Sequence, residues 1–338
     1  MRAVRIHEDG GPDVLRVEDV PVPEPHGSAA LVEIRSAALN HVDVSSRRGL
    51  PARTLGTDGA GVVAALGPDA AGVEVGQAVL INPGLFCRRC RFCLAGEHSL
   101  CLRFQVLGEH VDGTNADYVL VPSRNLFPIP RGWSFDEASA FGLVFVTSWR
   151  MLITKARLQP GESVLIWGIG GGVASSALEI CRATGARAIV TSSSDAKLAH
   201  ARTIGAHATI NHERDDVADA VRSLTDGRGV DVVVEHVGAA TWARSIDALA
   251  RGGRLVTCGA SSGGQPPAGL HRIFWKQVSV LGSTMGSDSE FRAVLELGAA
   301  GLVRPHVDTV YPMEAVGEAR ARLEAGEQFG KVVLRVSD

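Results

Sequence analysis

The chain has 338 residues, 45% hydrophobic and 21% charged, with 34 Lys and Arg against 37 Asp and Glu for a formal net charge of −3. That length fits about two domains, each long enough to bury its own core. The near-neutral balance excludes an electrostatic footprint for nucleic acid or an acidic membrane surface.

The first fifteen residues, MRAVRIHEDGGPDVL, hold no apolar signal-peptide core. No apolar run approaches the ~20 residues needed to span a bilayer. The expected compartment is therefore cytoplasmic, where thiols stay reduced and clustered cysteines bind metal more often than they pair. Up to about residue 147, short β-rich runs (ALVEIRSAAL, GAGVVAAL, QAVLIN, ADYVLV) alternate with turns marked by Pro21, Pro23, Pro25, Gly67-Pro68, Pro83-Gly84, Pro128 and Pro130. Beyond it, strands alternate with helices. SVLIW (163–167) leads through glycines into VASSALEICRAT, and ARAIVT leads into DAKLAHARTI. ATI (208–210), a polar helix near 213–225, DVVVE (231–235), a helix near 241–250, RLVTC (254–258) and VSVLG (278–282) follow. Continuous β-branched runs, each followed by a helix, predict a parallel sheet covered on both faces, a doubly wound α/β domain. The last stretch breaks the pattern: FRAVLELGAAG reads as one more helix and KVVLRV as a closing strand.

Four of the six cysteines, Cys87, Cys90, Cys93 and Cys101, fall within fifteen residues. Four thiolates make a closed tetrahedral metal site with no position left for water or substrate. Arg88, Arg89 and Arg91 lie between them and would offset part of the negative charge. Cys181 and Cys258 read as small core residues. WGIGGGVA (167–174) sits between a strand and a helix, where a dinucleotide pyrophosphate would rest on backbone N–H groups. Its spacing departs from G-x-G-x-x-G/A: counting back from Ala174 puts Gly171 second but Ile169 first, and counting on from Gly168 and Gly170 puts Val173 third. The next strand closes on hydroxyls, Thr191-Ser192-Ser193-Ser194, with Lys197 one turn into the helix and Asp195 expected to cap it. A carboxylate at that strand end would select NAD; Ser192, Ser193 and Lys197 would instead hydrogen-bond a 2′-phosphate, so NADPH is the expected cofactor.

Taken with GGPDVLRVEDVPVP, ALNHVD (38–43), LGTDGAGVVAALG (55–67), FVTSW (145–149), GASSG (259–263), LGSTMGS (281–287) and FGKVVL (329–334), these motifs cover nearly the whole chain. It resembles the medium-chain dehydrogenase/reductase superfamily of zinc alcohol dehydrogenases and quinone oxidoreductases. The resemblance implies an α/β protein: a GroES-like β domain from 1–146 and 284–338, with a zinc lobe at 85–103, and a Rossmann domain at 147–283. It implies a structural zinc on Cys87, Cys90, Cys93 and Cys101. It implies cofactor contacts from His41, Thr147, Gly168, Gly170, Gly171, Gly172, Val173, Ser192, Ser193, Lys197, Gly238, Gly259, Ala260, Ser283 and Lys331. The strand VSVLG resembles the family's dimer edge, so a homodimer or homotetramer is expected.

Where the alcohol dehydrogenases of the family place their catalytic zinc ligands, this chain has Asn40, Thr57 and Leu143, which cannot assemble a zinc site. The relay positions hold Val42 and Ser45. The pattern resembles quinone oxidoreductases and NADPH-dependent enone or enoyl reductases. The expected activity is hydride transfer to an activated C=C bond or a quinone on a small apolar substrate. Asn40 is expected to polarise the substrate and His41 to face the cofactor phosphates. The rival readings are an alcohol or carbonyl oxidoreductase, working without zinc or recruiting it through His41 and Asp58, and a non-catalytic NADPH-binding protein. Trp133, Phe141, Phe145, Trp149, Phe274 and Trp275 are candidates for an apolar pocket, with core packing expected for most of them.

Overall fold

The computed structural model describes residues 1–8, 10–45 and 53–337. They form two compact units. The first comprises Met1–Val144, Ser287–Ala299 and Arg304–Asp338; the second comprises Phe145–Gly286 with Ala300–Val303.

Among the described residues, the main sheet of the first unit runs Leu126–Pro128, Ala78–Ile81, Asp58–Leu66, Ala29–Ala38, Lys331–Arg335, Val307–Pro312, and Tyr118–Pro122 also pairs with Ala29–Ala38. Its inward face carries Val32, Ile34, Val63, Val79, Val119, Val121, Val332 and Leu334 in one core. Register decides what happens at one end of this sheet. Ala38 stands opposite Asp58 on one side and opposite Val333 on the other, both antiparallel. Two residues past Ala38 is Asn40, and two residues before Val333 is Lys331. Three segments far apart in sequence thus deliver Asn40, Asp58 and Lys331 to one place.

Two elements here escape the sequence pattern. The strand Val307–Pro312 has no fully buried residue, so it lacks clean alternation. The helix Val316–Glu324 buries Val316, Ala319, Arg320 and Leu323, and the arginine interrupts its apolar stripe. Trp133, Phe141 and Phe291 pack together, with ring centroids 5.4 and 5.8 Å apart. Gly298 makes room for Trp133, since a Cβ there would lie 2.9 Å from the indole.

The second unit is a parallel sheet in the order Ala208–Asn211, Arg187–Ser192, Ser163–Ile166, Val230–Glu235, Leu249–Thr257, Ser279–Gly282. Its two central strands, Ser163–Ile166 and Val230–Glu235, are almost wholly buried, as their β-branched runs require. Strand order reverses beside Ser163–Ile166. In doubly wound sheets the ligand crevice lies there, outside the strands' C-terminal ends. The polar helix is shorter than its pattern, Val217–Leu224, and starts where Asp216 accepts from the Asp219 N–H. The helix Leu270–Lys276 had no sequence signal. It leaves Phe274 and Trp275 exposed at 62% and 61%, so neither lines an enclosed pocket in this unit.

Candidate active site and metal centre

The cysteine lobe is a loop with two single-turn helices, Arg91–Leu94 and His98–Leu100. Its four Sγ atoms, from Cys87, Cys90, Cys93 and Cys101, all lie within 4.8 Å of one another. The Cys87 and Arg103 N–H groups point at Cys101 Sγ at 3.2 and 3.3 Å, as they would toward a thiolate. Backbone N–H groups of Cys93 and Leu102 pull the Cys90 thiol down to about 6, while burial pushes Cys93 up to about 12. Four converging sulfurs with amide donors fit a tetrahedral zinc and leave no open coordination position. Arg88 serves the sulfurs through its backbone N–H, which favours the Cys93 thiolate, while its side chain is engaged elsewhere. Its guanidinium forms an ion pair with Asp288 at the start of helix Asp288–Ala299. The Asp288 N–H also donates to His98 Nδ1 at 3.2 Å, so two lobe residues grip one helix end.

The second cluster sits where the three strand ends meet. Asn40 Nδ2 donates to Thr57 Oγ1 at 2.7 Å and to Asp58 Oδ2 at 2.8 Å. Lys331 Nζ donates to Asn40 Oδ1 and, at 3.0 Å, to Asp58 Oδ2. The Leu143 N–H reaches the other Asp58 oxygen at 2.7 Å. Thr57 and Asp58 are fully buried, and Lys331 is 3% exposed. Beneath them the Asn40 N–H donates to Asp43 Oδ2 at 2.7 Å; burial pushes the Asp43 carboxyl up and Arg320 opposes the shift. This geometry corrects one expectation. Both amide hydrogens of Asn40 are committed, so none is left to polarise a substrate. Lys331, expected at the cofactor, is held by Asn40 and Asp58. His41 is exposed at the head of helix His41–Ser45.

In the second unit, the expected dinucleotide residues gather at the C-terminal ends of the parallel strands. Gly168, Gly170, Gly171, Gly172 and Val173 follow Ser163–Ile166; Ser192 closes Arg187–Ser192, with Ser193 and Lys197 just after. Gly238 follows Val230–Glu235, Gly259 and Ala260 follow Leu249–Thr257, and Ser283 follows Ser279–Gly282. Thr147 comes from helix Gly142–Trp149, its hydroxyl 3.9 Å from Sδ of Met285, two residues past Ser283. Gly168 turns at φ 60°, and Gly171 opens helix Gly172–Thr184 with no side-chain cap. The first amides of a helix have no internal partner, so this end can take an anion. Ser283 Oγ is buried without a partner among the described residues, an atom that a ligand would satisfy. A dinucleotide fits these groups.

The helix after the second strand is capped by Ser194, which accepts from the Lys197 N–H, and not by Asp195 as expected. Asp195 is held by Asn211 Nδ2 at 2.9 Å and by both Nη atoms of Arg214 at 2.6 and 2.9 Å, which lower its pKa. Sequence reasoning assigns no role to Trp167, Glu235, His236 or Ser245. His236 Nε2 lies 2.9 Å from the Trp167 carbonyl, across the reversal in strand order. A carbonyl only accepts, so Nε2 carries the hydrogen; burial lowers the His236 pKa, keeping the ring neutral. The available signal was the charged residue closing the apolar run VDVVVE.

A family model for the alcohol dehydrogenase GroES-like domain matches residues 26–131, and one for zinc-binding dehydrogenases matches residues 172–300. The chain is 33% identical over 350 residues to an NAD-dependent alcohol dehydrogenase of Sulfurisphaera tokodaii, covering 99% of each protein. It is 28% identical to the quinone oxidoreductase of Homo sapiens, covering 99% of this chain and 97% of that one. The crystal structure of an NAD-dependent alcohol dehydrogenase superposes with a TM-score of 0.96 at 45% identity, covering 100% of both chains.

Proposed function

The chain belongs to the medium-chain dehydrogenase/reductase superfamily, and we propose that this member is an NADPH-dependent reductase of an activated C=C bond or a quinone, with one structural zinc. One observation carries the reading. Of the three positions that the resemblance gives to the catalytic zinc, Asn40 and Thr57 are tied into a closed polar cluster with Asp58 and Lys331, and Leu143 offers only its backbone N–H, which Asp58 accepts. The cluster's only full cation is an ammonium. Recruiting zinc through Asp58 would require breaking that carboxylate's bonds to Asn40, Lys331 and the Leu143 N–H. Alcohol oxidation needs a group to hold the alkoxide, whereas conjugate reduction needs donors near a carbonyl oxygen as enolate charge develops. With Asn40 committed, we assign that task to backbone N–H groups of the 259–263 and 282–286 turns, and give Asn40 the role of fixing Thr57 and Lys331. The cofactor, when bound, supplies the hydride.

A nicotinamide-fluorescence screen over enones, quinones, enoyl thioesters and aldehydes tests this reading. With deuterated NADPH the label should appear on the β-carbon of an enone. Label on a carbonyl carbon would make the protein a carbonyl reductase, and binding without turnover would make it a nucleotide-binding protein.

NADPH is supported by the hydroxyl-rich strand end and by Asp195 being engaged with Asn211 and Arg214. Ser193 is exposed there, so a carboxylate can be introduced without burial. Ser193→Asp should weaken NADPH at least about tenfold and spare NADH, since like charge beside a phosphate costs more than a kcal/mol. Equal weakening of both cofactors, measured by titration, would remove the 2′-phosphate from this spot.

Two structural features support assembly as a homodimer or homotetramer. Ser279–Gly282 is an outer strand of its sheet, and the adjoining helix exposes Leu270, Phe274 and Trp275. No described helix is long and apolar enough to cross a membrane. We place the protein in the cytoplasm, where the four thiols stay available to zinc.

A further inference from the structure

The reversal in strand order is tied together by a buried carboxylate that no part of the proposed reaction uses. Glu235 ends strand Val230–Glu235 with no exposure to solvent. One of its oxygens accepts from the Val237 N–H at 2.8 Å and the Gly238 N–H at 3.0 Å, and the Thr241 hydroxyl lies 2.9 Å from both oxygens. The other oxygen accepts from Ser245 Oγ at 2.6 Å, and Ser245 Oγ accepts from Trp167 Nε1 at 2.8 Å. The direction of this chain is forced. An indole nitrogen only donates, so Ser245 must accept from it, and the Ser245 hydrogen is left to point at Glu235.

Trp167 is also gripped at its carbonyl by His236 Nε2. The next residue is Gly168, the left-handed turn of the glycine loop. The carboxylate therefore holds both walls of the crevice. It fixes the 236–241 turn directly through two amides and a hydroxyl. It fixes the glycine loop indirectly, through Ser245 and Trp167. That turn in turn meets the one after the neighbouring strand, where the Ser262 N–H and hydroxyl both reach the Val237 carbonyl at 2.7 Å.

We propose that Glu235, acting through Ser245 and Trp167, is a positioning residue that sets the glycine loop for the pyrophosphate of the dinucleotide. The inference rests on the dinucleotide reading given above, and its monophosphate control rests on the NADPH reading. Removing the Ser245 hydroxyl leaves the Trp167 N–H buried without an acceptor and cuts the link from Glu235 to the loop. The 236–241 turn keeps its own bonds to the carboxylate. Glu235→Gln attacks the same link differently: an amide NH2 turned toward Ser245 takes away the acceptor of the Ser245 hydrogen, and turned the other way it meets the donors of the 236–241 turn.

The test is titration of Ser245→Ala and Glu235→Gln with NADPH, NADH and adenosine 2′-monophosphate, which lacks the pyrophosphate. Both variants should bind the tighter dinucleotide roughly tenfold or more weakly, the loss expected for one buried hydrogen bond. Adenosine 2′-monophosphate should bind the variants as it binds the parent. In steady-state assays KM for the dinucleotide should rise while kcat at saturation holds. If both variants match the parent for dinucleotide, or lose the monophosphate as much, Glu235 serves only the fold and the inference is overturned. A parent that binds neither NADH nor NADPH overturns the dinucleotide reading itself, a distinct result visible before any variant is made. Should Ser245→Ala fail to fold, Glu235→Gln, which keeps the side-chain volume, carries the comparison.

Discussion

Lys331→Met should destabilise the protein by about 3–5 kcal/mol, the range for removing one partner of a buried ion pair. Asp58 has no exposure to solvent and Lys331 only 3%, so water cannot take over the lost partner. The remaining contacts of Asp58, from Asn40 Nδ2 and the Leu143 N–H, are hydrogen bonds without a balancing charge. The companion variant Lys331→Met with Asp58→Asn should recover much of the loss. It buries no charge, and the side-chain amide introduced at position 58 retains a carbonyl oxygen for the Leu143 N–H. Denaturant unfolding of the four proteins in this cycle measures the coupling. If the double variant is no more stable than Lys331→Met, the cost comes from packing and the ion pair is not its source. The same cycle bears on metal content, because removing the ammonium should not create a second zinc site from Asn, Thr and Asp.

Cys93→Ser should produce the second large effect. Elemental analysis of the parent should give about one zinc per chain, and the variant should hold it far more weakly. Structural zinc contributes its binding free energy to folding, about 10–16 kcal/mol in isolated zinc-finger peptides. Losing one of four thiolates therefore removes several kcal/mol, read as a lower unfolding midpoint. The disturbance should reach beyond the lobe. Arg88 and His98 hold Asp288, so hydrogen exchange should accelerate at the first turn of Asp288–Ala299 as well as at 86–104. Binding must also expel protons. Burial holds Cys93 protonated up to about 12, so zinc affinity should fall as pH falls, about tenfold per pH unit for each proton displaced. Two tightly held zincs per chain, or a variant that retains one with unchanged affinity, would end this assignment.

Much of the architecture was legible because its signals are local. VDVVVE and SVLI carry the β-branched runs of buried strands, and WGIGGGVA carries the glycines of a sharp turn into a helix. The four-cysteine spacing announced its own cluster. What escaped depends on partners distant in sequence. No pattern around Asn40 reveals that Lys331 accepts the task of neutralising Asp58; that follows from register across two strands. Arg88 looked like a counter-charge for thiolates until Asp288 appeared beside it. Asp195 looked like a helix cap because Ser194, one residue earlier, is equally suited to the role, and only Arg214 reveals where the carboxylate turns. Helix Val316–Glu324 stayed hidden because its buried stripe contains Arg320, which donates to the Asp43 carbonyl.

The bond between Lys331 and Asn40 spans 291 positions of chain, and a complete compact unit, Phe145–Gly286 with Ala300–Val303, lies between its ends. Closing so long a loop before its interior is ordered costs entropy with no contacts yet to offset it. During synthesis the intervening unit emerges and can collapse first, while strand Ala29–Ala38 waits with the Ser36–Ala38 end of one edge uncovered. Asp58 stays wet and unpaired through that interval. Only when Lys331–Arg335 leaves the ribosome does the edge close and the carboxylate meet its cation. A nascent chain with residues 1–303 clear of the ribosome and 331–335 still inside it should therefore present a second unit already formed and a partner unit still open to proteases and chaperones.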